Sequence, residues 1–177
     1  EPIRAVPTRL DEVVQDAVQF VRPRLERNGV EYVSDFPADP VFAQADRGQL
    51  AQVVINLFIN AADAMPDGGR LTVRGLSDPQ DGRAVLEVSD TGHGISAEHL
   101  PHVFEPFYTT KESGAGTGLG LAVAARIVEA HGGTIEAASK PGRGTRFCIR
   151  LPAPLGHPGP GAAAPLESRA VPIAPLE

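Results

Sequence analysis

The 177-residue chain holds one cysteine (Cys148), one methionine, two tyrosines and no tryptophan. A single cysteine excludes an internal disulfide and any zinc site built from thiolates. Lysine is nearly as scarce: Lys111 and Lys140 stand against 14 arginines, so a role that needs an ammonium group has few candidates. No apolar run approaches the roughly 20 residues of a membrane-spanning helix. The start, Glu1-Pro2-Ile3-Arg4, lacks the basic stretch and apolar core of a signal peptide. Positive charge is short overall. A formal net charge of -6 argues against a non-specific grip on nucleic acid and against direct contact with an acidic membrane surface. What remains, 42% hydrophobic and 21% charged, is the composition of a globular protein of one domain, or one domain with a tail. The expectation is a soluble domain from a reducing, cytoplasmic compartment, or a soluble piece of something larger.

Composition changes after Leu151. From Pro152 to Glu177 there are seven prolines with scattered Gly and Ala and no periodic apolar pattern, so residues 153–177 read as a disordered tail or linker. Before that, element types alternate. Leu10, Val13, Val14, Ala17, Val18, Val21 and Leu25 keep helical spacing, which predicts a helix over 9–28 stopped by Asn28-Gly29. Tyr32 and Val41-Phe42 mark two short strands. A second helix runs from about Asp46 to Met65, followed by strands at 71–74 and 84–89. A glycine-rich segment, 112–120, leads into a third helix ending near His131. Two more strands follow, at 134–138 and 145–151, the last alternating Thr145, Phe147, Ile149 and Leu151 against Arg146, Cys148 and Arg150. The fold class implied is α/β: a two-layer sandwich of a mixed β-sheet covered on one face by three helices.

Four segments carry chemistry. On the second helix, Asn56 and Asn60 are four residues apart, so their amides converge. An amide carbonyl is a hard oxygen ligand suited to Mg²⁺ shared with phosphates and water, although two asparagines satisfied by backbone fit the same spacing. Directly after a strand comes Asp90-Thr91-Gly92-His93-Gly94. An ionised Asp90 only accepts hydrogen bonds, so it would take the amino group of adenine and reject the carbonyl of guanine. The same letters open the active site of aspartic proteases, which need two such carboxylates, whereas Asp-Thr-Gly occurs once here. Finally, Gly114-Ala115-Gly116-Thr117-Gly118-Leu119-Gly120 runs into a helix, and bare backbone amides at a helix start make an anion cradle. It is neither a dinucleotide fingerprint nor a P-loop, and it reads as a lid that orders on binding. Between the last two segments lies Phe104-Glu105-Pro106-Phe107-Tyr108-Thr109-Thr110-Lys111, whose lysine can reach a terminal phosphate.

In this order the segments resemble the ATP-binding domain of bacterial sensor histidine kinases, within the wider group of gyrase-, chaperone- and mismatch-repair-type ATPases. Residues 56–64 are similar to the family's N box, 90–94 to G1, 104–111 to the F box, 116–121 to G2, and Gly142, Gly144, Thr145 and Phe147 to the closing strand motif. The likeness covers roughly 9–152, with 1–8 as the remnant of a linker from upstream dimerisation helices. It implies a Bergerat-type ATP-binding fold with ATP and Mg²⁺ as cofactors. Asn60 would hold the metal, supported by Asn56. Asp90 would accept from adenine, with Thr145 alongside through water and Gly92 and Gly94 shaping the pocket. Gly116, Thr117 and the amides of Gly118, Leu119 and Gly120 would hold phosphates, and Lys111 would contact the γ-phosphate.

The departures matter as well. The hydrolysing ATPases of the group place a glutamate four residues before the metal-binding asparagine. Asn56 stands there, and an amide is no general base. Some histidine kinases carry a basic residue at the position of Asp63, so a phosphate contact is expected to be lost there. None of His93, His99, His102, His131 and His157 lies in the context of a phosphoacceptor helix. The function implied is transfer of the γ-phosphoryl group to a histidine on a separate dimerisation domain of a parent kinase, with a response regulator downstream. A non-catalytic ATP-binding sensing or scaffold module and an anti-sigma-type serine kinase stay open as alternatives.

Overall fold

The computed structural model describes residues 2–111 and 116–156. Along them run β1 (Val6–Arg9), α1 (Leu10–Asn28), β2 (Val30–Asp35), β3 (Phe42–Ala45), α2 (Arg47–Ala64), β4 (Gly69–Ser77), β5 (Ala84–Asp90), α3 (Gly120–Ala130), β6 (Thr134–Ser139) and β7 (Thr145–Leu151), with a short 3₁₀ turn at Leu100–His102. Residues 112–115 of the glycine-rich segment, and the tail with its His157, lie outside the described residues.

The main sheet has the order β2-β4-β5-β7-β6. β2 lies parallel to β4 and every other neighbour is antiparallel, so the sheet is mixed as expected. β3 departs from the expectation of one sheet. It pairs antiparallel with β1 in a separate two-stranded ribbon, Val6 opposite Ala45 and Arg9 opposite Phe42. A start of the ordered elements at residue 9 therefore misses β1. Four residues containing Pro7 carry no period of their own, and only pairing with β3 makes them a strand.

α2 lies between α1 and α3 and packs on β4 and β5. This explains why its apolar surface is wider than one face: Phe58 and Ala62 are fully buried beside Leu50, Val53, Val54, Leu57 and Ala61. On α1 the seven residues chosen by helical spacing are the seven that are buried. Strand alternation also holds. Leu86, Val88 and Asp90 of β5, with Phe147, Ile149 and Leu151 of β7, face the helical layer. Asp90 thus occupies the last inward position of a core strand, where an apolar residue is the norm.

Candidate functional site

Sheet register assembles the floor of the site. Asp90 stands opposite Thr145, and Thr145 opposite Ser139, so three neighbouring strands line up one polar row at the end of the core. Asp90 is 7% exposed, and its Oδ1 accepts from the backbone N–H groups of Gly92 (2.9 Å) and Thr145 (3.3 Å). Oδ2 is left for the cavity. Burial pushes the Asp90 carboxyl above its ordinary value, against the smaller opposing pull of those two N–H groups and of His93.

Ser139 fixes the polarity of its neighbour. Its hydroxyl accepts from the Ile95 N–H (2.7 Å) and donates its only hydrogen to the Gly144 carbonyl (2.8 Å). The 2.9 Å contact between Ser139 and Thr145 must then use the hydrogen of Thr145. Thr145 consequently turns only lone pairs toward the cavity. The floor offers a carboxylate oxygen and a hydroxyl oxygen, both as acceptors. Sequence reading named Asp90 and Thr145 but missed Ser139, whose part depends on the register of β6 against β7.

The glycines of the 90–94 loop are required by close approach. A side chain on Gly94 (φ +73°) would put its Cβ 2.1 Å from the Lys140 carbonyl oxygen. Gly92 packs against the end of α2, and the neighbouring His93 N–H donates to the Ala64 carbonyl (3.0 Å), tying the loop to that helix.

Above the floor a cavity of about 320 Å³ is lined by Asn60, Asp90, Gly94, Ile95, Lys111 and Thr145, among others. It adjoins a second space of about 280 Å³ that reaches Asn56, Gly116, Thr117, Gly118 and Gly120, with Asn60, Asp63 and Lys111 common to both. Of the twelve residues expected in the site, Asn60, Asp90, Gly94, Lys111 and Thr145 line the first cavity, Asn56, Gly116, Thr117, Gly118 and Gly120 line the second space, and Gly92 and Leu119 line neither. Among the described residues the Asn60 amide has no hydrogen-bond partner, so its carbonyl oxygen is available where the spaces meet. One hard oxygen facing a cavity suits Mg²⁺ shared with phosphates and waters.

Asn56 is engaged differently from Asn60. Its Nδ2 donates to the Gly120 carbonyl (3.0 Å), which fastens α2 to the start of α3. That start is uncapped by any side chain: Leu119 stands at the N-cap without a side-chain hydrogen bond, leaving amides of the first turn open at the positive end of the helix. The Leu119 N–H itself points to Thr117 Oγ1 at 3.3 Å, so of the three amides expected to bind phosphate it is the one already occupied. Gly118 (φ +67°) packs so closely on Phe107 that a Cβ would meet that residue's carbonyl carbon at 2.5 Å. Its carbonyl accepts from the Phe107 N–H (2.9 Å). Phe107 is itself left-handed (φ 65°), a conformation a bulky residue adopts only under constraint from its surroundings. Phe104 anchors the same segment by an edge-on contact with Phe147, centroids 6.1 Å apart.

Lys111 does not stand free: its ammonium is paired with Asp63, which also binds Arg24 of α1. Sequence reading gave Asp63 no positive partner and did not single out Arg24, because a contact between α1 and α2 leaves no spacing signal.

A family model described as histidine kinase-, DNA gyrase B-, and HSP90-like ATPase matches residues 45–155. Among curated proteins, the sensor kinase CckA of Brucella abortus (strain 2308) is 42% identical over 156 residues, covering 81% of this chain and 16% of its own. The sensor histidine kinase ZraS of Klebsiella oxytoca is 41% identical over 145 residues, covering 81% of this chain and 30% of its own. The chain thus spans under a third of the length of these relatives. Among solved structures, the mycobacterial sensor histidine kinase MprB superposes with a TM-score of 0.72 at 32% identity, covering 84% of this chain and 97% of that one. Full-length ShkA in complex with AMPPNP gives 0.74 at 27% identity, over 86% of this chain and 32% of the other.

Proposed function

Since the chain belongs to the histidine kinase-, DNA gyrase B- and HSP90-like ATPases and is the ATP-binding catalytic domain of a sensor histidine kinase, we propose that it binds Mg-ATP and passes the γ-phosphoryl group to a histidine on separate dimerisation helices, from which a response regulator receives it. The observation that carries this reading is a pair of adjoining spaces that run from a floor of acceptors at Asp90 and Thr145, past the Asn60 side chain that lines both, to the open amino end of α3.

Each residue then has work that follows from its surroundings. Asp90 takes the amino group of the purine through Oδ2, with Oδ1 held by two backbone donors. Gly94 lets the base lie against backbone. Asn60 gives its carbonyl oxygen to the metal, and bound Mg²⁺ supplies neutralisation of phosphate charge. The Gly118 and Gly120 region receives the phosphates, with the Leu119 amide recruited when it leaves Thr117. Catalysis of this kind is positioning and charge neutralisation, with the chemistry left to the acceptor imidazole. Asn56 supports this division of labour: its amide is spent on Gly120 and cannot activate water, which favours transfer over hydrolysis.

The test is transfer in trans. Incubated with labelled ATP and a dimerisation-helix fragment bearing a phosphoacceptor histidine, the chain is expected to yield an acid-labile, base-stable phosphoprotein. Acid-stable product would mark a serine kinase. Binding of ATP with no product on any paired fragment would mark a sensing module.

A further inference from the structure

Asp63, its side chain 14% exposed, holds two cations at once: the Arg24 guanidinium from α1 and the Lys111 ammonium. One carboxylate needs only one partner, so the cluster carries a net positive charge. It lines the space that contains Asn56, Gly116, Gly118 and Gly120, and among the described residues Asp63 is the only acid there. The excess positive charge therefore faces the open amino end of α3 across that space. The Arg24 side chain is 43% exposed, and among the described residues only its Nη2 is engaged, on Asp63. The rest of its planar donor fork is free, and that fork matches two oxygens of one phosphate better than an ammonium does.

We propose that Arg24 is a specificity-determining ligand of the terminal phosphate, carried to the cavity from α1 and aimed there by Asp63, with Lys111 as its companion. Asp63 is then a positioning residue: it turns the two cations toward the anion they are to receive. The proposal rests on the ATP-binding reading above and adds to it the residue that separates a triphosphate from a diphosphate.

Calorimetric titration of the full chain with Mg-ATP and with Mg-ADP tests it, thermal melts confirming that each variant is folded. Arg24→Ala is expected to weaken ATP binding about tenfold while ADP affinity stays within about twofold. Arg24→Lys, which keeps the charge and loses the fork, should fall between Arg24→Ala and the parent. An equal loss for both nucleotides would show that Arg24 only clamps α1 to α2, and an unchanged ATP-to-ADP ratio would likewise overturn the proposal. Failure of the parent chain to bind either nucleotide would remove the ATP reading and this inference together. Loss of both nucleotides in Asp90→Asn, alongside an unchanged ratio in Arg24→Ala, would sink this inference alone.

Discussion

A carboxylate at the last inward position of a core strand carries an electrostatic cost that the Gly92 and Thr145 N–H groups offset only in part, and Asp90 makes that cost measurable. Between the ordinary aspartate value, about 3.9, and the higher folded one, the native chain holds a proton that the unfolded chain has lost, so stability falls as pH rises through that window. Asp90→Asn keeps an oxygen for the Gly92 and Thr145 donors, removes the buried charge and turns amide hydrogens toward the cavity. Its melting temperature at neutral pH should be equal to or above that of the parent while ATP binding disappears. A variant that still bound ATP would end the purine assignment. In the parent, ATP affinity should drop at an acid limb lying above the usual aspartate range, because only the ionised group accepts without also donating. Ser139 offers a finer test. In Ser139→Ala the Thr145 hydrogen is released toward the cavity, so the 6-oxo nucleotide ITP should gain on ATP about five- to tenfold. Ser139→Thr should keep the original preference. Asn60→Ala is expected to lose phosphoryl transfer yet retain some nucleotide affinity, measured by the same titration with and without Mg²⁺.

At the scale of elements, α2 joins the core to the site, and both its ends are held by side chains from elsewhere in sequence or by its own cap. Asp46 caps its amino end, accepting from the Gln49 N–H at 3.1 Å, and that bond is the largest cause holding the Asp46 carboxyl below its ordinary value. Its share of stability is present above the unfolded aspartate value and is lost as pH falls through the lower folded one. Asp46→Ala should cost about 1 kcal/mol in denaturant unfolding. The Asp46 N–H donates to His131 Nε2 (3.0 Å), and Nδ1 lies 2.7 Å from the Ile127 carbonyl, so Nε2 accepts, Nδ1–H donates, and His131 links the end of α3 to the start of α2. Phe58, fully buried and edge-on to Tyr32 of β2 with ring centroids 6.2 Å apart, should cost about 3–5 kcal/mol when cut to alanine. Where α3 begins, Gly118→Ala forces a Cβ into Phe107 backbone, so it should weaken nucleotide binding more than it lowers the melting temperature.

Over the whole molecule, the proposed function would divide labour between a sheet that reads the base and helices that meet the phosphates. No helix among the described residues is long and apolar enough to cross a membrane. The buried faces of α1 and β7 were legible in order, because helical and strand periods need only local spacing. So were the residues placed around the cavity, since glycines beside a carboxylate, paired asparagines and a glycine-rich helix start are local patterns too. The ribbon of β1 and β3 was not legible, being a pairing between two short segments, neither of which has a period of its own.

Sequence by itself determined which residue types stand at the site and which element carries each, because backbone sterics and hydrophobic period act over a few neighbours. Tertiary structure alone decided the donor and acceptor sense of Thr145, through the register of three strands, and the recruitment of Arg24 to Asp63, through the packing of α1 on α2. Hydrogen-bond direction and charge pairing depend on which atoms meet across long stretches of chain, and no local pattern encodes that meeting.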